Sequence, residues 1–79
     1  MNNEKLLERI AIDPKIMMGK PIIRGTRLTV QQILKLLAEG LTTEEILQEH
    51  PSLKRDDISA CLIFATETLE NTSFIPATL

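Results

Sequence analysis

The sequence has 79 residues, 43% of them apolar, a formal net charge of −2 and a single cysteine. A chain of this size makes one small domain burying only about 60–65% of its unfolded surface, a size that favours pairing with a copy or a partner. One cysteine excludes an internal disulfide, no apolar run reaches the roughly 18 residues of a membrane span, and the opening Met-Asn-Asn-Glu-Lys lacks a secretory n-region, so the expectation is a cytoplasmic protein without membrane contact.

In chain order, residues 1–9 read as weakly helical or frayed, with Leu6 and Leu7 able to dock. Ile10-Ala11-Ile12 is a short strand stopped by the turn opener Asp13-Pro14, and Lys15 to Met18 form an irregular turn. The stretch from Gly19 to Val30 alternates glycine, proline and basic residues with β-branched ones. It predicts two short extended pieces hinged at Gly25, where a positive φ costs glycine nothing. Ile10–Ile12 is expected to pair with one of them. Such a small sheet is marginal alone and calls for a helical cover or a second chain.

Three helices follow. Thr29 and Gln32 form a capping box opening the first, which carries Val30, Ile33, Leu34, Leu37 and Leu41 at helical spacing and ends at Gly40. Thr42 and Glu45 box the second, with Leu41 and Ile46 as a hydrophobic staple; Pro51 stops it near Glu49. The third begins around Lys54, stapled by Leu53 and Ile58 and opened by Asp56 and Asp57. Its stripe is Ile58, Cys61, Leu62, Ala65 and Leu69. Ile63 and Phe64 lie off it, as a second buried surface or as part of a broad core face. The expected lengths are about 11, 7 and 16 residues.

The architecture is therefore mainly α, a single domain over 1–70 with a β-region at 10–28, three helices at 29–70 and a tail at 71–79. Two short helices before a longer one suit a helix-turn-helix arrangement with the third as reader. Charge is unevenly placed: residues 14–38 carry +5 with no acid, and residues 39–79 carry −6. The basic third suits phosphate or an acidic protein surface, or complements the acidic half of its own dimer. Candidate DNA contacts are Arg24, Arg27, Lys54, Arg55 and Ser59. Two acids beside the two bases of the third helix make a poor phosphate surface. Arg24 and Arg27 have an alternative role, fixing the turn on Asp13 or on a backbone carbonyl.

Enzyme readings find little. His50, the one histidine, precedes Pro51 at a helix end, and Cys61 lies on the apolar stripe. The acid pairs Glu44-Glu45 and Asp56-Asp57 are explained by helix N-termini. No cofactor or metal is expected. A homodimer is, with strand contacts from Ile22, Ile23 and Leu28 and helical ones from Ile63 and Phe64.

Ile12-Asp13-Pro14, Gly19-Lys20-Pro21-Ile22-Ile23-Arg24-Gly25-Thr26-Arg27, Glu39-Gly40-Leu41-Thr42, Glu45-Ile46-Leu47 and Pro51-Ser52-Leu53 stand in the order of the domain-of-unknown-function 433 family, which the chain resembles over about residues 6–69. The resemblance implies a homeodomain-like three-helix fold with an N-terminal β extension. It also implies an antitoxin-like regulatory protein that binds a PIN-like ribonuclease toxin and its own operator DNA. In that picture the tail residues Phe74, Ile75 and Leu79 fold on the toxin. Alternatives are a stand-alone dimeric DNA-binding module and a homo-oligomeric domain with no nucleic-acid role. Lys54 stands where the family usually has Ser or Thr, which weakens the cap of the third helix.

Overall fold

A computed structural model describes residues 3–71. It is mainly helical: α1 (Asn3–Leu7), β1 (Ile10–Ala11), a 3-10 turn at Met17–Gly19, β2 (Ile22–Ile23), α2 (Val30–Ala38), α3 (Thr43–Glu49) and α4 (Arg55–Glu70). The expected bundle of three helices thus has a fourth member. Five residues are too few to hold a helix alone; α1 is held by buried Leu6 and by lying against α4.

The two strands pair antiparallel, Ile10 opposite Ile23 and Ala11 opposite Ile22. Ile12 falls outside the pairing and is exposed. Beyond β2 the chain turns at Gly25, whose φ is +83°. The Thr26 N–H donates to the Ile23 carbonyl at 3.0 Å and the Ile23 N–H to the Leu28 carbonyl at 2.9 Å, closing a tight hairpin that bridges Ile22 to Thr29. Thr26 locks it: its hydroxyl donates to the Ile23 carbonyl at 2.7 Å and accepts from the Leu28 N–H at 3.0 Å. The hinge and the pairing with Ile10 are therefore one device.

Both capping boxes are closed in both directions, Thr29 with Gln32 and Thr42 with Glu45. The first of the three long-range helices, α2, has 9 residues rather than about 11 because Glu39 already caps it and Gly40, at φ +99°, turns the chain away. The other two have 7 and 16 residues. The core is aliphatic, with Ile23, Ile33, Ile46 and Cys61 the largest side chains sealed from solvent.

The stripe expected on the last helix needs correction. Ile58 and Cys61 are buried, but Leu62 and Leu69 are 47% and 68% exposed, and Asp57 and Ala60 are buried in their place. α4 meets α1, α2, α3 and β1. Its buried face is set by those neighbours, not by the widest apolar arc. Ile63 and Phe64 are half-buried against the core, as part of a broad core face.

Candidate functional site

The N-terminal tip of α4 is tied down by charge. Lysine has no acceptor, so Lys54 supplies no side-chain cap. Asp57 instead reaches back, its Oδ2 accepting from the Lys54 N–H at 2.8 Å. Its other oxygen accepts from Arg9 Nη1 at 3.1 Å, while Arg9 Nη2 lies 3.5 Å from Asp56. One buried carboxylate thus caps α4 and clips it to the segment joining α1 and β1. Arg55 pairs with Glu44 of α3. The hydrogen bond from that guanidinium is the main reason the Glu44 carboxyl is held below its ordinary value, helped by the residue's own backbone N–H.

Arg24 is likewise engaged. Its Nε donates to the Glu8 carbonyl at 2.8 Å and its Nη2 to the Ile10 carbonyl at 3.3 Å, and its backbone N–H donates to the Arg9 carbonyl at 2.7 Å. A planar fork with several fixed donors suits this work of holding two strands. Arg27 and Lys54 are exposed, and Ser59 is half-buried. The five residues expected at DNA therefore do not form one surface of free cations: two of them are spent on protein groups.

The residues expected at a dimer face also divide. Ile22 and Ile23 are each 2% exposed, so their side chains serve the chain's own core and offer nothing to a second copy. The hairpin is enclosed by Thr29 and β1 instead of presenting an apolar edge. Leu28, Ile63 and Phe64 are half-buried. Phe74, Ile75 and Leu79 lie outside the described residues.

A different feature has the shape of a binding surface. An open groove of about 590 Å³ runs between the Met17–Gly19 turn, the start of α2 and the C-terminal half of α4. Its apolar lining includes Pro21, Val30, Leu34 and Phe64, with Met18 and Leu69 on its margins. Met18 is 91% exposed. Met17, Met18 and Gly19 take φ of +48°, +59° and +80° in succession. For two methionines this is the strained left-handed region, at a cost of about 1–2 kcal/mol per residue. The strain throws an apolar side chain into water at the mouth of an apolar groove. Nothing in the Met-Met-Gly spelling announces it beyond the adjacent glycine.

Sequence reasoning also missed Arg9, which sits 48 residues from Asp57. Only the presence of a base just ahead of a strand was visible. Cys61 is buried, and burial together with the charge of Asp57 pushes its thiol up to about 12, the behaviour of a core side chain. Among the described residues no group of three or more His, Cys, Asp or Glu is placed to hold a metal, and no helix is long and apolar enough to cross a membrane.

These features define a small helical protein in which a two-stranded hairpin is clipped to a long C-terminal helix. The model of the family described as "Protein of unknown function (DUF433)" matches residues 10–65, and the chain belongs to that family. It is similar to a solved member from Anabaena variabilis, at a TM-score of 0.76 and 28% identity, covering 85% of this chain and 66% of that one. An uncharacterized protein of Sinorhizobium fredii, y4eO, is 34% identical over 58 residues, 73% of this chain. The chain spans only 26% of that relative's length. An uncharacterized protein of Archaeoglobus fulgidus is 43% identical over 30 residues, 38% of this chain and 83% of its own.

Proposed function

We propose that the chain is a non-catalytic, cytoplasmic regulatory module of the antitoxin type, acting mainly by binding protein. The observation that carries the reading is the apolar groove with Met18 and Leu69 standing exposed on its margins. Exposed apolar patches of this kind mark contact surfaces. The groove flanks the C-terminal half of α4. The partner class implied by the resemblance is a PIN-like ribonuclease.

DNA is the weaker partner in this reading. Arg24 is engaged by the Glu8 and Ile10 carbonyls and Arg55 by Glu44, and Asp56 stands beside Lys54 at the tip of the would-be recognition helix. One observation keeps operator binding as the second reading: α3 and α4 follow each other across a short connection with exposed Lys54 at the tip, as in a homeodomain-like helix-turn-helix. The test is co-expression of the tagged chain with a PIN-like ribonuclease from its own genome, followed by size exclusion and an RNA-cleavage assay. Co-elution with suppressed cleavage is expected, and truncation after Asn71 should abolish it. A salt-dependent DNA shift with no ribonuclease binding would overturn the protein-first reading.

A further inference from the structure

We infer that Met18 is a redox-sensitive modification site: a peroxide converts its thioether to a sulfoxide ahead of the other described sulfurs, and the sulfoxide lowers the groove's affinity for a partner. The inference deepens the reading of the groove as a protein-contact surface and rests on it.

Among the described residues sulfur occurs at Met17, Met18 and Cys61. Cys61 is sealed in the core, and burial pushes its thiol up, so neither access nor thiolate character offers it to an oxidant. Met17 is 37% exposed and Met18 91%. Exposure therefore ranks Met18 first.

The backbone keeps it there. The Ile16 N–H donates to the Asp13 carbonyl at 2.9 Å, the Gly19 N–H to the Ile16 carbonyl at 3.1 Å and the Lys20 N–H to the Met17 carbonyl at 3.1 Å. Asp13 Oδ1 also accepts from the Lys15 N–H at 2.9 Å. The turn is thus tied on both sides of Met18, and drawing that residue inward would break these bonds. Its exposure is a property of the fold.

In the step itself the thioether sulfur attacks one peroxide oxygen. An S–O bond forms as the O–O bond breaks, and the departing hydroxide takes up the remaining proton to leave as water. The sulfur gives up an electron pair and the peroxide accepts it. Oxidation makes a flexible apolar side chain polar. Met18 lines the groove with Pro21, Val30, Leu34 and Phe64, so the change falls at the edge of an apolar contact. A sulfoxide pressed against an apolar partner loses its water, which opposes binding. A sulfoxide reductase fed by a dithiol restores the thioether, releasing water and a disulfide, so the modification is reversible.

The test treats the full chain with limiting hydrogen peroxide and maps oxygen uptake by peptide mass spectrometry. Met18 is expected to gain oxygen several-fold faster than Met17, with Cys61 unmodified. Binding is then read before and after oxidation, with the PIN-like ribonuclease and separately with the apolar dye anilinonaphthalene sulfonate. Both should weaken, the ribonuclease by about tenfold, and recover after a sulfoxide reductase with dithiothreitol. Met18→Leu stays apolar without the sulfur, so its binding, at whatever strength, should not respond to peroxide. Met18→Gln should bind as weakly as the oxidised chain. Equal oxidation of Met17 and Met18, or a Met18→Leu chain that peroxide still weakens, would overturn the inference. A chain that loses dye on oxidation but never binds the ribonuclease would sink the proposed partner and leave Met18 standing. One that binds the ribonuclease equally in both forms would do the reverse.

Discussion

Between Arg55 and Cys61, α4 buries Asp57, Ile58, Ala60 and Cys61; between Leu62 and Glu70 it fully buries nothing. The first half carries the helix's buried residues. Asp57 caps the helix and receives Arg9, and Ile58, Ala60 and Cys61 fill the aliphatic core. The second half carries a comparable share of apolar residues but leaves Leu62 and Leu69 exposed, Leu69 at the margin of an open groove. One continuous helix therefore contains a segment packed into the core and a segment that keeps apolar surface in water, divided near Cys61.

The sharpest way to break this comparison is to truncate one apolar side chain in each half. Ile58→Ala should cost about 2–5 kcal/mol, because the core cannot collapse fully around the lost methyl groups. Leu69→Ala should stay within about 0.5 kcal/mol for the monomer. Urea denaturation at low concentration reads both, and equal losses would dissolve the division. Next comes Asp57→Ala, which leaves the Lys54 N–H without its acceptor and strands Arg9. The expected loss is about 1–3 kcal/mol, seen as a lower urea midpoint with an unchanged slope.

Gly25→Val tests the hairpin that the first half is clipped to. Nothing lies within 4 Å of the added Cβ, so the penalty is the left-handed backbone alone, about 1–2 kcal/mol. An unchanged melting temperature would show that the hinge tolerates any residue. Cys61 adds a pH test. Its folded pKa is raised to about 12 from an ordinary 9.0. Above pH 9 the unfolded chain therefore releases a proton that the folded chain keeps, and stability falls as pH rises from about 9 towards 12. Cys61→Ala should flatten that part of the alkaline limb in pH-dependent melting.

The smallest effect belongs to Glu44. Its folded pKa is depressed by the Arg55 hydrogen bond, so its contribution is present above the ordinary carboxylate value and is lost as pH falls through the folded one. Both side chains are well exposed, which keeps the effect slight. Glu44→Gln should leave the melting temperature at pH 7 almost unmoved and flatten the acid limb. A clear loss at pH 7 would mean that the α3–α4 junction leans on this pair.

What could be read from the sequence was whatever local chemistry decides. Thr29 with Gln32, Thr42 with Glu45, and the glycines at 25 and 40 each act within a few residues, and each stands where its spelling places it. That Ile10 and its neighbours would pair with one of the extended pieces followed from strand-forming side chains; that the piece is Ile22–Ile23, with Ile10 opposite Ile23, did not. The Arg9–Asp57 clip was illegible because nothing local joins residues 48 apart. Periodicity found the apolar arc of α4 but could not say which edge neighbours would cover, so Leu62 and Leu69 read as core. Ile22 and Ile23 read as available strand surface for the converse reason: a short sheet looks open until its helical cover is known. The groove is a property of three separate segments and has no linear signature.

The partition of α4 can be tested by amide hydrogen exchange followed along the helix. Amides from Asp57 to Cys61 should show the high protection of the core, exchanging only on global opening. Amides from Leu62 to Glu70 should exchange faster, through local opening of the less buried half. Protection that is uniform along α4 would contradict the account.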